Sequence, residues 1–244
     1  MPVLNEKASR RSVLLGLCTA SASIVSGCTR SFDVTGGMGI DTTSTGSIYP
    51  SGSAIRPQIS VDKAVTTPET MYAAVHEAGY SLPAIPYEKI PSKYRRQIVP
   101  DPTGEAPGTI VVSLQDRYLY LVQPGGDAIR YGVGIGKDGF LWSGRANIQY
   151  KREWPTWTPP REMIGRKPEL AKYVGGMPGG PNNPLGARAL YIFKDGVDTQ
   201  YRVHGSPEWR SIGQSMSSGC VRLINQDIID LYNRVPGKAP IVVR

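Results

Sequence analysis

Few of the 244 residues carry chemistry beyond packing: three cysteines, at positions 18, 28 and 220, and two histidines, at 76 and 204. Only Cys220 lies where the chain has the texture of a folded domain, in Ser217-Ser218-Gly219-Cys220-Val221-Arg222. With no second cysteine nearby it cannot form an intradomain disulfide, and the three are too far apart for a zinc-ligand pattern, so no metal and no cofactor are expected. Small neighbours leave the thiol uncrowded, and cationic Arg222 favours a thiolate, the nucleophilic form, over a thiol of pKa about 8.5. His204, in Tyr201-Arg202-Val203-His204-Gly205-Ser206, is 16 residues upstream at a strand end. A thiol and an imidazole are the pair that Cys/His acyl transfer needs: the ring takes the thiol proton and later delivers it to the leaving amine. A third group must orient the ring. The candidates are the Gly205 carbonyl and the Ser206 hydroxyl, since no carboxylate stands close until Glu208. His76 has no partner in sequence and reads as a surface or packing residue.

The elements that must hold this pair are mostly strands. Glycine and proline are abundant, 28 and 21, and Tyr outnumbers Phe 13 to 3, which favours strands and turns over a helical bundle. From 109 to 122 the residues Ile110, Val112 and Leu114 alternate, Gln115-Asp116 turns, and Tyr118, Tyr120 and Val122 alternate back, a β-hairpin. Further strands are expected over 128–135, 146–151, 189–193, 201–204 and 239–243. One helix is clear: after Asn225 as N-cap, Ile228, Leu231, Tyr232 and Val235 fall at i, i+3, i+4 and i+7. A second, short helix is expected over 68–79, with Pro68 at its start, Gly79 at its end and His76 on it. Arg95 and Arg96 read as part of a solvated basic collar. The fold class is mainly β, a β-sandwich or partly open barrel with at least one packed helix.

Residues 1–27 read as an export signal: Lys7, Arg10 and Arg11 precede a 13-residue apolar run, too short for a bilayer that needs about 20 residues. Ser9-Arg10-Arg11-Ser12-Val13-Leu14 is similar to the twin-arginine signal, with the general secretory route as the alternative. Val25-Ser26-Gly27-Cys28 is similar to a lipoprotein cleavage box, which would make Cys28 an acylated first residue and anchor the protein to a membrane. Over 28–67 the chain is a Ser/Thr/Gly-rich flexible tether, these types supplying 18 of the 39 residues from Thr29. Residues 68–107 form an N-terminal extension and 108–244 the catalytic domain. Net charge is +8, about +6 after cleavage, which suits an anionic envelope polymer and excludes an acidic tail protein. Nucleic acid is not an expected partner.

His204-Gly205 followed by Ser218-Gly219-Cys220-Val221-Arg222, with 15 residues separating His204 from Cys220, resembles the active-site signature of the L,D-transpeptidases, the YkuD-type domain of bacterial cell-wall enzymes. The resemblance extends over 108–244 through Gly134-Ile135-Gly136, Trp154-Pro155-Thr156-Trp157-Thr158-Pro159-Pro160, Asn183-Pro184-Leu185-Gly186 and Ile241-Val242-Val243. One departure is Ser218 where many members have His. The resemblance implies a periplasmic or envelope enzyme acting on peptidoglycan stem peptides of the meso-diaminopimelate type. It implies Cys220 as nucleophile, His204 as general base and acid, the Gly205 carbonyl as the group that orients His204, and an oxyanion site near Ser218, Gly219 and the Cys220 backbone. Arg222 either binds a substrate carboxylate or braces the loop, and Trp154, Trp157 and Trp209 either line a groove or pack in the core. The implied reaction expels D-alanine and forms a 3→3 cross-link. Transfer to an outer-membrane protein and hydrolysis of stems or protein tethers use the same pair; a non-catalytic wall-binding lipoprotein would not need it.

Overall fold

The computed structural model describes residues 67–136, 142–217 and 219–244. The export signal, Cys28, the tether and Ser218 lie outside the described residues.

The chain enters through a four-residue helix, α1 (Pro68–Met71), and a small hairpin, β1 (Val75–Glu77) and β2 (Tyr80–Leu82). This replaces the single helix expected over 68–79. Ala78 and Gly79 both have positive φ, 49° and 78°, so Gly79 makes a hairpin turn and not a helix end. His76 is therefore exposed on a strand, where Nδ1 lies 2.9 Å from the Ser81 hydroxyl.

The body is mainly β, built on a mixed nine-stranded sheet. Its strands are β3 (Gln97–Pro100), β4 (Ile110–Ser113), β5 (Tyr118–Val122), β6 (Asp127–Gly132), β8 (Gly144–Glu153), β9 (Arg188–Lys194), β10 (Val197–Ser206), β12 (Val221–Ile224) and β13 (Pro240–Val243), in the order β12-β10-β9-β8-β13-β4-β5-β6-β3. A second small pair joins β7 (Ile135–Gly136) to β11 (Ser215–Ser217). That small pair is parallel, and within the nine-stranded sheet two pairings are parallel, β10 with β12 and β13 with β4. The sheet also rolls: Gly134, just beyond β6, exchanges both backbone hydrogen bonds with Arg222 of β12, each 2.9 Å. A side chain at Gly134 would meet the Ser211 carbonyl at 2.6 Å, so glycine lets the two ends of the sheet close. Of the two architectures expected, a sandwich and a partly open barrel, the rolled mixed sheet fits the second.

Inside the roll lie Ile110, Val112, Leu119, Ile148, Val203 and Val221, all fully buried. Helix α3 (Asn225–Arg234) plugs that face with Ile228 and Leu231, joined by Val235 just past its end. Each such side chain contributes about 1.5–3 kcal/mol by leaving water, and truncating Leu231 to Ala would cost about 2–5 kcal/mol. Asn225 is the first residue of α3 and not its cap; its Oδ1 accepts the Ala187 N–H at 2.9 Å instead.

The N-terminal extension is part of the folded body. β3 is an edge strand of the main sheet, and Tyr72, Ile90 and Tyr94 share a buried cluster with Ile212 and Ile224. Arg96, expected on a solvated collar, is instead largely covered: Nη1 pairs with Asp230 at 2.9 Å and Nε stands 3.7 Å from Asp227. Tyr72 donates to Asp227 Oδ2 at 3.3 Å, and Tyr131 and Arg234 close the network on Asp230. Asp227 is wholly buried, and that burial raises its carboxyl to about 7 despite Arg96. Gln226 donates to the Ala73 and Pro83 carbonyls at 3.1 and 3.0 Å, and Arg188 pairs with Glu77, so hydrogen bonds and ion pairs tie 68–96 to both α3 and β9.

Candidate catalytic site

β10 and β12 run side by side in parallel, with Val203 level with Val221 and His204 level with Arg222. Side chains alternate along a strand, so Val203 and Val221 point into the core while His204, Arg202 and Arg222 share the opposite face. Cys220 immediately precedes β12, level with Arg202 and two residues before Arg222. One strand spacing across and two residues along place its Cα about 8 Å from that of His204. Sixteen residues of separation thus collapse into neighbouring strands. The sequence-predicted pair is brought together by β-pairing, which the motif alone does not reveal.

His204 is 4% exposed. Its Nδ1 lies 2.6 Å from the Gly205 carbonyl oxygen, so Nδ1–H donates there and Nε2 is the nitrogen left to accept a proton. Of the two orienting candidates, the Gly205 carbonyl is the one engaged; the Ser206 hydroxyl accepts the Glu208 N–H at 3.0 Å. Burial lowers the imidazole pKa to about 4, with Arg222 and Arg202 adding to the effect against the Gly205 bond. The ring is therefore neutral at neutral pH, the form a general base requires.

Cys220 is half-buried, and burial raises its thiol above the ordinary value. A backbone hydrogen bond from Arg202 and the charges of Arg202 and Arg222 pull the other way and are outweighed. The expectation that Arg222 would hold a resting thiolate is thus corrected: desolvation costs the anion more than two nearby cations return.

Gly219 has φ +116°, a conformation that glycine adopts freely, and an added Cβ would lie 3.4 Å from the Tyr201 ring. Among the described residues the Arg222 Nε is buried with no hydrogen-bond partner. Burial lowers its guanidinium, opposed by Cys220 and Glu208.

Sequence reading missed Arg202. It braces the site from β10: its backbone reaches Cys220, its guanidinium forks onto Asp198 at 2.7 and 2.8 Å, and it stacks 4.4 Å over Tyr191, which stacks in turn on Tyr150 at 4.3 Å. The signal available was its i−2 position from His204, the same strand face. The tryptophans divide. Trp154 packs on Tyr80 at 4.4 Å and Trp209 joins the Tyr72–Ile212 cluster, so both serve packing. Trp157 exchanges backbone hydrogen bonds with Met177, at 2.9 and 2.7 Å. Between β8 and β9 the chain makes an excursion from Trp154 to Ala187 that is pinned at its base. Trp154 N–H bonds the Ala187 carbonyl, and buried Asn183 donates to the Pro155, Met177 and Pro178 carbonyls at 2.9–3.1 Å. A short helix, α2 (Arg161–Arg166), lies within it. The described residues contain no group of three or more His, Cys, Asp or Glu placed to hold a metal ion.

The model of the L,D-transpeptidase catalytic domain, YkuD, matches residues 107–243. The chain belongs to this family. Its curated relatives include the probable L,D-transpeptidases ErfK/SrfK and YbiS of Escherichia coli (strain K12), 34% identical over 148 residues and 33% over 144. Both matches cover 57% of this chain and 44% of the relative, so the chain spans less than half the length of these curated relatives. A Brucella melitensis crystal structure, named a probable carnitine operon oxidoreductase CaiA, is 47% identical over 62% of this chain and 94% of its own, with a TM-score of 0.45. That name belongs to the Brucella protein. The L,D-transpeptidase domain here begins at 107 by the family match, whereas the folded body begins some forty residues earlier, because β3 and the Tyr72–Tyr94 cluster complete it.

Proposed function

We propose that this protein is a cysteine-dependent peptidoglycan L,D-transpeptidase of the cell envelope. The observation that carries the reading is the parallel register of β10 and β12, which sets a neutral His204, anchored through Nδ1 on Gly205, beside the strand that Cys220 immediately precedes.

In the first step the Cys220 thiol gives its proton to His204 Nε2 as Sγ attacks the carbonyl carbon of the third stem residue. The S–C bond forms, the C–N bond to the terminal D-alanine breaks, and the imidazolium returns the proton to the departing amine. Backbone N–H groups at Gly219 and Cys220 hold the oxyanion, where a glycine with positive φ allows the carbonyl to approach the chain. In the second step the side-chain amine of another stem attacks the thioester carbon, its proton passes through His204 to the departing sulfur, and a 3→3 cross-link remains. Arg222 would bind a stem carboxylate or brace the loop, and a buried Nε without a partner among the described residues supports the first role. The export signal, lipidation at Cys28 and the tether from 28 to 67 would deliver the domain to the wall from a membrane anchor.

Incubating the full chain with disaccharide tetrapeptide and resolving products by mass spectrometry tests this reading. A cross-linked dimer lacking one D-alanine supports it. Tripeptide monomer alone indicates a hydrolase, and full activity in Cys220→Ala would overturn the assignment of the nucleophile.

A further inference from the structure

Three buried polar side chains open α3, and they reach in different directions. Gln226 and Asp227 face the N-terminal extension. Asn225, 4% exposed, turns towards the catalytic strand. Its Oδ1 accepts the Ala187 N–H at 2.9 Å and lies so close to two glycines that a Cβ on Gly205 would meet it at 2.4 Å and one on Gly186 at 2.2 Å. Gly186 itself has φ +62°, and its Cβ would also fall 2.5 Å from the Gly205 carbonyl carbon. The amide is thus wedged between the Gly186–Ala187 turn, where the 154–187 excursion rejoins β9, and the peptide whose carbonyl receives the His204 Nδ1–H. The glycines are needed because nothing larger leaves room for Asn225. Ile228, one turn on, closes the remaining side at 2.8 Å from the same Gly205 position.

Resting on the proposed His204 role, we propose that Asn225 is a positioning residue for His204. By fixing the plane of the Gly205 carbonyl it keeps the imidazole in the Nδ1–H tautomer, with Nε2 open to the thiol proton. An imidazole released from this anchor distributes its proton between the two nitrogens, and the Nε2–H form cannot act as the base. The other α3 polar residues provide the comparison. Gln226 makes its bonds to Ala73 and Pro83, away from Gly205, so its loss softens α3 without touching the carbonyl.

The chain has two histidines, so its imidazole nitrogens can be read directly by long-range 1H–15N NMR of the 15N-histidine-labelled protein, with His76→Gln identifying the exposed ring. The wild-type His204 should show the Nδ1–H pattern. Asn225→Ala should give a mixed or inverted pattern, with kcat reduced roughly tenfold and KM little changed. Asn225→Asp, which keeps an acceptor oxygen for Ala187 N–H at a helix N-terminus, should restore the Nδ1–H pattern. Gln226→Ala should leave it intact. A pure Nδ1–H tautomer in Asn225→Ala would overturn the proposal, as would an equal disturbance in Gln226→Ala. Should Asn225→Ala fail to fold, Asn225→Ser, whose hydroxyl is too short to reach Ala187, carries the same comparison. The tautomer is read without substrate, so it stands or falls separately from the transpeptidase reading, which Cys220→Ala and His204→Ala test by activity.

Discussion

Two buried groups titrate against each other in this fold, and removing either one should expose the other. His204 is held near pKa 4 in the folded protein against 6.5 unfolded, so between these values the unfolded chain binds more protons and stability falls as pH falls. Asp227 is raised to about 7 from 3.8, so in nearly the same window the folded chain binds more protons and stability falls as pH rises. Between about pH 5 and 6 each group contributes close to one proton of difference, roughly 1.2 kcal/mol per pH unit, with opposite sign. The wild type should therefore be nearly flat there. His204→Ala should lose about 1.2 kcal/mol on going from about pH 5 to 6, a fall of roughly 3–5 °C in Tm for a body of this size, and Asp227→Asn should gain as much. Urea and thermal melts followed by circular dichroism at the two pH values read this slope, and absolute destabilisation by either substitution cancels from it. A His204→Ala slope equal to that of the wild type would refute the reasoning, because it would mean that burial does not hold the imidazole neutral.

Other outcomes follow from the same contacts. Gly205→Ala would drive a Cβ to 2.4 Å from Asn225 Oδ1 and 2.8 Å from Ile228, and should destabilise by about 1–3 kcal/mol in denaturant titration, with activity lost in proportion to the displaced His204 anchor. Arg96→Ala leaves Asp227 and Asp230 without their shared cation and should cost about 3–5 kcal/mol, read as a lowered urea midpoint; a loss under 1 kcal/mol would show that the buried network is not held by charge. Because the Cys220 thiol is raised, its alkylation by iodoacetamide, followed by peptide mapping, should climb steadily beyond pH 9 with no plateau near neutrality. A plateau below pH 7 would instead indicate a resting thiolate.

The parts of the fold legible in the sequence are those whose signal is local. The hairpin of β4 and β5, the strands β9 and β13 and the apolar stripe of α3 announce themselves by alternation or by 3.6-residue spacing. The types and interval of Cys220 and His204 are in the sequence, whereas the parallel register that sets β10 beside β12 is not; the Gly205 carbonyl stood among the candidates for the partner of His204 Nδ1. What failed was decided by distant partners. The segment 68–79 carries helix punctuation, yet Glu77 is drawn into a strand facing Arg188, 111 positions away. Arg96 looks like a solvated cation until Asp227 and Asp230 arrive on α3 to cover it. Asn225 looks like a cap, but the Ala187 N–H claims its side chain. Burial, too, has no sequence signature: Arg222 beside Cys220 suggests a thiolate, and desolvation of the thiol in the folded chain reverses the sign.

The central claim is that Cys220 carries the acyl group. Brief incubation with a tetrapeptide stem in the absence of an acceptor amine, acid quenching and peptide mapping by mass spectrometry would locate it. A tripeptidyl thioester is expected on Cys220, formed with release of one equivalent of D-alanine and abolished in His204→Ala. D-alanine release with no adduct on Cys220, persisting in Cys220→Ala, would contradict it.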